Sequence, residues 1–539
     1  MYGSITLENR FGVNKMELIS LKYAIFVIVL LVLYYCFPKK YRWYVLLAGS
    51  MAYYVIICKW YVLFIIFTIC TTYGSTIWID KLLKKQNAIV KSHKEDWDRQ
   101  TRKEYKEKGR KKRVAVMLFA LLCNFGILAF LKYIPYAGKL GLLLPLGISF
   151  YTFQSMGYVM DVYREIVEPE KNFLKVALFV SFFPQIIQGP IAIYDKLAGQ
   201  LYEGHSLRLE NLQKGALLVL WGVMKKLVIA DRAVNIINFV MDKPMDFSGT
   251  YVFFAAVVYA LQLYADFSGG IDIVRGIAEM FGITMSTNFN HPYFSRSLTE
   301  YWHRWHMTLG DWCRNYIFYP LSISKRFLNF GKWLKPRFGA HISKVLPGCI
   351  ASVITFIVIG VWHGANMKYL YFGLWNGIVI MLAELFAPVN KKVAGGFFKL
   401  TGLREKGIFA TIISVLWTFM LILVGYYFDI AANASTAFHM LFKSVTDFHI
   451  SELGINNIIL NLGACGLDEY DILLLIICTL LWFFISFVEE NKKLDMRDFI
   501  LSRKLPLRWA IIYLGIFIVI IFGYYGPGVN PADFVYMQF

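Results

Sequence analysis

Residues 345–386 read VLPGCIASVITFIVIGVWHGANMKYLYFGLWNGIVIMLAELF. Two apolar runs, Val345–Val361 and Tyr369–Phe386, flank a short polar insert. Each run approaches the ~20 residues an α-helix needs to cross bilayer hydrocarbon. No charged residue stands between Lys344 and Lys368. A backbone in hydrocarbon has to satisfy its own hydrogen bonds, so such runs read as helices. His363 closes the first run, and an ionisable group at that depth is costly enough to suggest function. Gly360, Gly364 and Ala365 leave room for close approach of a backbone or a substrate, and Asn366 sets an amide nearby.

The same pattern recurs along the chain. Of its 539 residues 58% are hydrophobic and 17% charged, against about 45–50% and 25% in soluble domains. Upstream runs lie near Tyr23–Phe37, Trp43–Cys58, Tyr61–Ile79 and Val114–Leu131. Leu140–Met160 and Leu174–Ile193 are apolar but broken by proline and glycine. Ala216–Ile229, Val252–Leu263, Ile408–Phe428, Ile472–Val488 and Trp509–Tyr525 complete the set. The expected fold is an all-α polytopic membrane protein with about a dozen transmembrane or re-entrant helices. The N-terminal run lacks a small-residue cleavage site after it and reads as a retained span.

The net charge of +20 fits basic loops on the cytoplasmic face better than nucleic acid, for which no aromatic or Gly-rich RNA-binding signature is present. PKKYR (38–42) and the strongly basic 81–113 segment fall on one side if each intervening span crosses once. Residues 324–338 and 489–504 are basic as well, whereas 431–471 holds one lysine and no arginine. The positive-inside rule then places the N-terminus outside and 81–113 in the cytoplasm, as a solvated, helical loop that meets lipid headgroups.

Two further stretches put polar groups at depth. In residues 257–282, Gln262, Asp266, Ser268 and Asp272 punctuate an apolar run, and Gly269–Gly270 are expected to break its helix. Carboxylates six apart do not share a helical face, so paired acid–base work is a poor reading. In TEYWHRWHMTLGDWCRNYIFYP (299–320), a single helix would align Trp302, Trp305, Leu309, Trp312 and Tyr316 along one stripe. Arg304, Thr308, Asp311 and Asn315 would line the other, with His303 and His306 between them. That is the pattern of a helix lying in the membrane interface, although it leaves the histidines unexplained.

No GxSxG elbow, HExxH helix or phosphate-cradling glycine loop occurs. The eight cysteines include no CxxC pair, so neither a metal site nor a disulfide framework is expected. A neutral histidine acting as general base on a hydroxyl suits the polar residues best. A transporter or flippase would also use a dozen spans, and it would make Asp266 and Asp272 matter more than His363.

Five ordered blocks carry a resemblance: LPLGISFYTFQSMGYVMDVYR (144–164), FFPQIIQGPI (182–191), YADFSGGIDIVRGIAEMFGI (264–283), NFNHPYFSRSLTEYWHRWHMTLGDWCRNYIFYPL (288–321) and VWHGANMKYLYFGLWNG (361–377). Together they resemble the membrane-bound O-acyltransferases, in the bacterial branch that O-acetylates alginate or transfers D-alanine to lipoteichoic acid. The resemblance implies helices ringing a central tunnel. It divides the chain into N-terminal helices (1–132, with the basic loop 80–113), a catalytic core (133–390) and C-terminal helices (391–539). It implies His363 as the catalytic residue and His306 as its partner, with Asn366, Trp305, Asp266, Gln188 and Trp362 supporting them or lining the tunnel. Asn315 stands where the family commonly has aspartate, and His303 where relatives often carry arginine or asparagine, so His303 is given no catalytic role.

The resemblance further implies an acyl group, acetyl in the first instance, arriving as a cytoplasmic thioester of coenzyme A or of an acyl carrier protein. It would leave for an external polysaccharide or cell-wall glycan, directly or through an SGNH-type partner acyltransferase. D-alanyl transfer to teichoic acid is the alternative. Membrane lipid is the surrounding partner and the bacterial plasma membrane the expected location. No bound cofactor or metal is expected.

Overall fold

A computed structural model describes residues 16–402, 404, 407–454, 457, 463–526 and 534. Among the described residues the secondary structure is helical throughout, with no strand. Among the described residues seven helices are long and apolar enough to cross a membrane, or eight if the pair Met367–Leu385 and Ala387–Thr401 is one span. One of the seven, Lys39–Ser92, holds two of the expected runs, divided where Lys59 takes a left-handed conformation (φ 49°). Leu21–Cys36 and Phe173–Gln188 are apolar but shorter. The protein is a multi-pass, all-α membrane protein.

The chain divides into two compact units, residues 1–219 with 273–286, and residues 220–272 with 287–539. In the first, the helix Ile148–Tyr163 is buried along nearly its whole length. The buried Arg42 ties neighbouring segments together, donating from Nε to Phe37 O (2.9 Å), from one terminal nitrogen to Tyr35 O (3.0 Å) and from the other to His205 O. The basic 81–113 segment is helical, as the end of Val62–Ser92 and the start of Arg99–Tyr133.

In the second unit the polar insert between the two apolar runs becomes the corner of a helical hairpin, Lys325–His363 followed by Met367–Leu385. Gly339 (φ 80°) breaks the first of these, and only glycine enters that region of φ without strain. The stretch beyond it rises about 36 Å, enough to span hydrocarbon. Where the hairpin closes, a Cβ on Gly360 would lie 2.2 Å from Tyr369 O, and one on Gly373 2.3 Å from Phe356 O. Gly360, noted in the sequence, and Gly373, which was not, are therefore what lets these two backbones touch. Gly360→Ala is expected to cost about 1–3 kcal/mol by overpacking, read as a lowered thermal midpoint of the detergent-solubilised protein.

Contrary to expectation, Gly269–Gly270 do not break the helix Gly249–Met280. Gly269 instead lets another backbone close in, since a Cβ there would sit 2.8 Å from Gly222 O. Beyond that contact the chain forms a π-helical turn, Lys225–Ala230, which presents two consecutive lysines to Gly249–Met280. Lys225 Nζ reaches Asp272 Oδ2 at 2.6 Å and Ser268 Oγ at 2.9 Å. Lys226 Nζ reaches Asp266 Oδ1 at 2.7 Å and Asp231 Oδ1 at 2.8 Å. The two carboxylates that share no face thus serve two different lysines. The Lys226, Asp266 and Asp231 side chains are all buried.

Candidate active site

The stretch 299–320 is not one helix. Leu298–Arg304 starts at Ser297, whose Oγ accepts from Glu300 N at 3.1 Å, and ends at Trp305 in extended conformation. His306 then adopts φ 43°, ψ 51°, and a second helix, Met307–Cys313, begins. A left-handed non-glycine residue costs about 1–3 kcal/mol and persists only where its surroundings hold it. Here Asn288 does the holding. Its backbone carbonyl accepts from Met307 N at 2.9 Å, and its side-chain Oδ1 accepts from Thr308 N at 3.1 Å and Thr308 Oγ1 at 2.8 Å. Because the break turns the helix on itself, Trp305 and Trp312 are buried in protein rather than laid against lipid. The interfacial-anchor reading of this stretch is therefore corrected, with His303 and Tyr319 left exposed among its histidines and aromatics.

The same Asn288 oxygen stands 3.1 Å from His306 Nδ1. An oxygen that already accepts from a backbone N–H can only accept again, so Nδ1 carries the proton and Nε2 keeps the lone pair. The His306 ring is 1% exposed, edge-on to Phe267 (4.9 Å between centroids) and Trp362 (6.1 Å). Burial, reinforced by the neighbouring His363, pushes its pKa down from the ordinary 6.5 to about 3. The folded protein therefore binds fewer protons here than the unfolded chain between those limits. This part of the stability is complete above pH 6.5 and is lost as pH falls toward 3. Thermal midpoints taken from pH 7 to 4.5 are expected to fall more steeply in the wild type than in His306→Gln.

His363 is the last residue of its helix, and the chain turns at Gly364 before Asn366 caps the next helix by accepting from Lys368 N at 3.1 Å. The imidazole is 7% exposed. It lies nearly parallel to the Tyr369 ring (5.9 Å) and edge-on to Phe372 (5.3 Å) and Trp362 (5.0 Å). Both histidines line one cavity of about 430 Å³, its open mouth included. Tyr301, Trp302, Trp305, Phe372 and Tyr426 form aromatic walls, while Asn376 and Asp429 add polar groups. Trp302 Nε1 donates to Asn376 Oδ1 at 3.0 Å, which fixes the indole in the wall. Aromatic walls with a few converging polar groups are the usual form of a small-molecule site.

The other residues singled out from the sequence are distributed around this cavity or away from it. Trp305 is in its wall, and Trp362 is buried between the two imidazoles' edges. Asp266 faces Lys226. Asn366 is half-buried at the hairpin corner, its amide reaching Ala432 O at 3.4 Å. Gln188 is fully buried and belongs to the other unit. Sequence reasoning missed Asn288, Asn376 and Asp429. Asn288 opens the fourth block but shows no periodicity to mark it. Asp429, one residue past the expected end of an apolar run, was legible only as a boundary.

Residues 169–335 match the model of the membrane-bound O-acyltransferase family. The chain is 31% identical over 315 residues to a probable alginate O-acetylase of Pseudomonas syringae pv. tomato, covering 58% of this chain and 54% of the relative. It is 30% identical over 314 residues to a peptidoglycan O-acetyltransferase of Helicobacter pylori, covering 51% and 56%. A teichoic acid D-alanyltransferase of Bacillus subtilis is 26% identical over 288 residues, covering 52% and 67%. The chain spans a little over half the length of the first two relatives. The family resemblance carried by the five sequence blocks stands.

Proposed function

We propose that this chain, matched to the membrane-bound O-acyltransferase family across residues 169–335, transfers an acyl group from a thioester to a hydroxyl within the cavity of its second unit. The observation that carries this reading is the pair of buried histidines, His306 and His363, on one aromatic-walled cavity. His363 takes the proton of the acceptor hydroxyl as the oxygen attacks the thioester carbonyl carbon. The carbon–sulfur bond then breaks, and the imidazolium returns the proton to the departing thiolate. Positioned proton transfer of this kind contributes ~10²–10⁴-fold, and a water-poor cavity suppresses hydrolysis of the thioester.

The protonation of His306 limits its role. With its only proton on Nδ1 and committed to Asn288, the neutral ring has no donor left to polarise a carbonyl. Nε2 is suited to accept, and so to orient an N–H of His363 or the acceptor hydroxyl. His306 is therefore read as an orienting acceptor.

In this reading the thioester, of coenzyme A or of a carrier protein, arrives on the cytoplasmic side, with the N-terminus outside the plasma membrane, which the distribution of basic loops supports. The acceptor, a polysaccharide or cell-wall glycan, is outside, reached directly or through an SGNH-type partner acyltransferase. Acetyl is favoured over D-alanyl, because the relatives named as O-acetylating proteins match at higher identity than those named as D-alanyltransferases. Supplying the purified protein with labelled acetyl-CoA, or with a D-alanyl carrier protein, separates the two. Acceptor labelling from acetyl-CoA supports this reading, and labelling from the carrier alone contradicts the choice of acetyl.

A further inference from the structure

We infer that Asp429 holds the acceptor, by accepting a hydrogen bond from a sugar hydroxyl adjacent to the one that reacts. The inference rests on the acyltransferase reading and adds to it the acceptor's chemistry at a named atom. Asp429 lines the same cavity as His306 and His363. It is the penultimate residue of the helix Ile408–Ile430, next to the 431–471 stretch whose single lysine and absence of arginine suit the outer face.

The carboxylate is fixed but not used up. Tyr259 donates to its Oδ2 at 2.7 Å, which occupies one of the roughly four lone-pair positions of a carboxylate. The nearby Lys368 ammonium is held by backbone oxygens, donating to Asp429 O and Ala431 O at 2.7 Å each. That lysine pins the end of the helix, and so the place of Asp429, through two of its three protons.

The cavity's tyrosines are neutral acceptors that send their own protons inward, and a hydrogen bond to a neutral phenol is weaker than one to a carboxylate. Tyr293 donates to Ala260 O at 2.6 Å, so it accepts from Tyr426 at 3.1 Å. Tyr426, its proton spent, accepts from Tyr301 at 2.7 Å. Every proton of the chain points away from a ligand and ends on a backbone carbonyl. Asp429 is thus the charged hydrogen-bond acceptor of the cavity.

An aromatic wall with a carboxylate at one end matches a sugar ring, whose C–H face packs on the rings while a hydroxyl donates to the acid. Anchoring one hydroxyl fixes the ring and aims its neighbour at His363. Such positioning is where much of the rate of a two-substrate reaction originates. A single serine hydroxyl of a partner protein has no second hydroxyl to offer Asp429, so the inference commits to a glycan.

The test uses the purified full-length protein in lipid vesicles, radiolabelled acetyl-CoA, and two acceptors, a mannuronate tetramer and chitotetraose. Asp429→Asn, which keeps the size of the side chain, is expected to raise the acceptor KM about tenfold. Saturated kcat, the KM for acetyl-CoA and the thermal midpoint are expected to stay within about twofold of wild type, and Asp429→Glu to recover part of the acceptor affinity. An unchanged acceptor KM in Asp429→Asn, or a loss that falls on the acetyl-CoA KM, overturns the assignment while leaving the acyltransferase reading intact. Failure of the wild type to label either oligosaccharide overturns the glycan-acceptor reading itself, and the role of Asp429 with it.

Discussion

Lys226→Ala is expected to be the most damaging single substitution outside the cavity. The lysine sits between two buried carboxylates, Asp266 and Asp231, at 2.7 and 2.8 Å. Its removal leaves two like charges in a medium that solvates neither. Breaking a buried ion pair by removing one partner costs about 3–5 kcal/mol, a large part of the roughly 5–15 kcal/mol that holds a typical protein folded. The expected result is a protein that reaches the membrane at low abundance and unfolds early in detergent. Replacing the cluster as a whole, with Lys226→Met, Asp231→Asn and Asp266→Asn together, is expected to recover most of the loss, because no uncompensated charge remains. Fluorescence-detected size exclusion after a heating series separates these outcomes. A Lys226→Ala protein as stable as wild type would show that the cluster is not an internal brace.

His363→Ala is expected to have the largest effect on activity with the least effect on folding. The side chain is packed among the rings of Tyr369 and Phe372, so its loss creates a small cavity. Removing a positioned general base lowers transfer by about 10²–10⁴-fold. Rate of thiol release from the donor and thermal midpoint, measured on one preparation, should therefore separate, the first collapsing and the second moving little. The transporter reading predicts the reverse order of importance, with Asp266 and Asp272 decisive for substrate movement. Both carboxylates are held by lysines, Asp272 by Lys225 and Asp266 by Lys226.

The membrane class and most of the helices were legible because a bilayer imposes one demand, a long apolar run, that composition alone reveals. His363 was legible for the same reason, as an ionisable group closing a charge-free run. The break at His306 was not. Helical periodicity continued unbroken through 299–320, and what overrides it is Asn288, 18 residues before His306, through its backbone and side-chain oxygens, which no local rule identifies. The Gly269–Gly270 pair misled in the opposite direction. Glycine weakens a helix in isolation, but here its missing side chain admits a neighbouring backbone. Lys225 and Lys226 fall inside the apolar run Ala216–Ile229 without drawing notice, because their partners Asp272 and Asp266 lie 47 and 40 residues away in sequence. In each case the deciding contact was tertiary.

The most direct test of acyl transfer through this cavity is its sidedness. Sealed vesicles can be prepared with the oligosaccharide enclosed and the basic 81–113 face outward. Membrane-impermeant, labelled acetyl-CoA is then added outside, and label on the enclosed oligosaccharide is counted. The expected result is labelling by the wild-type protein and at least a hundredfold less by His363→Ala. Labelling only when donor and acceptor share one side of the membrane, or equal labelling by His363→Ala, would contradict the account.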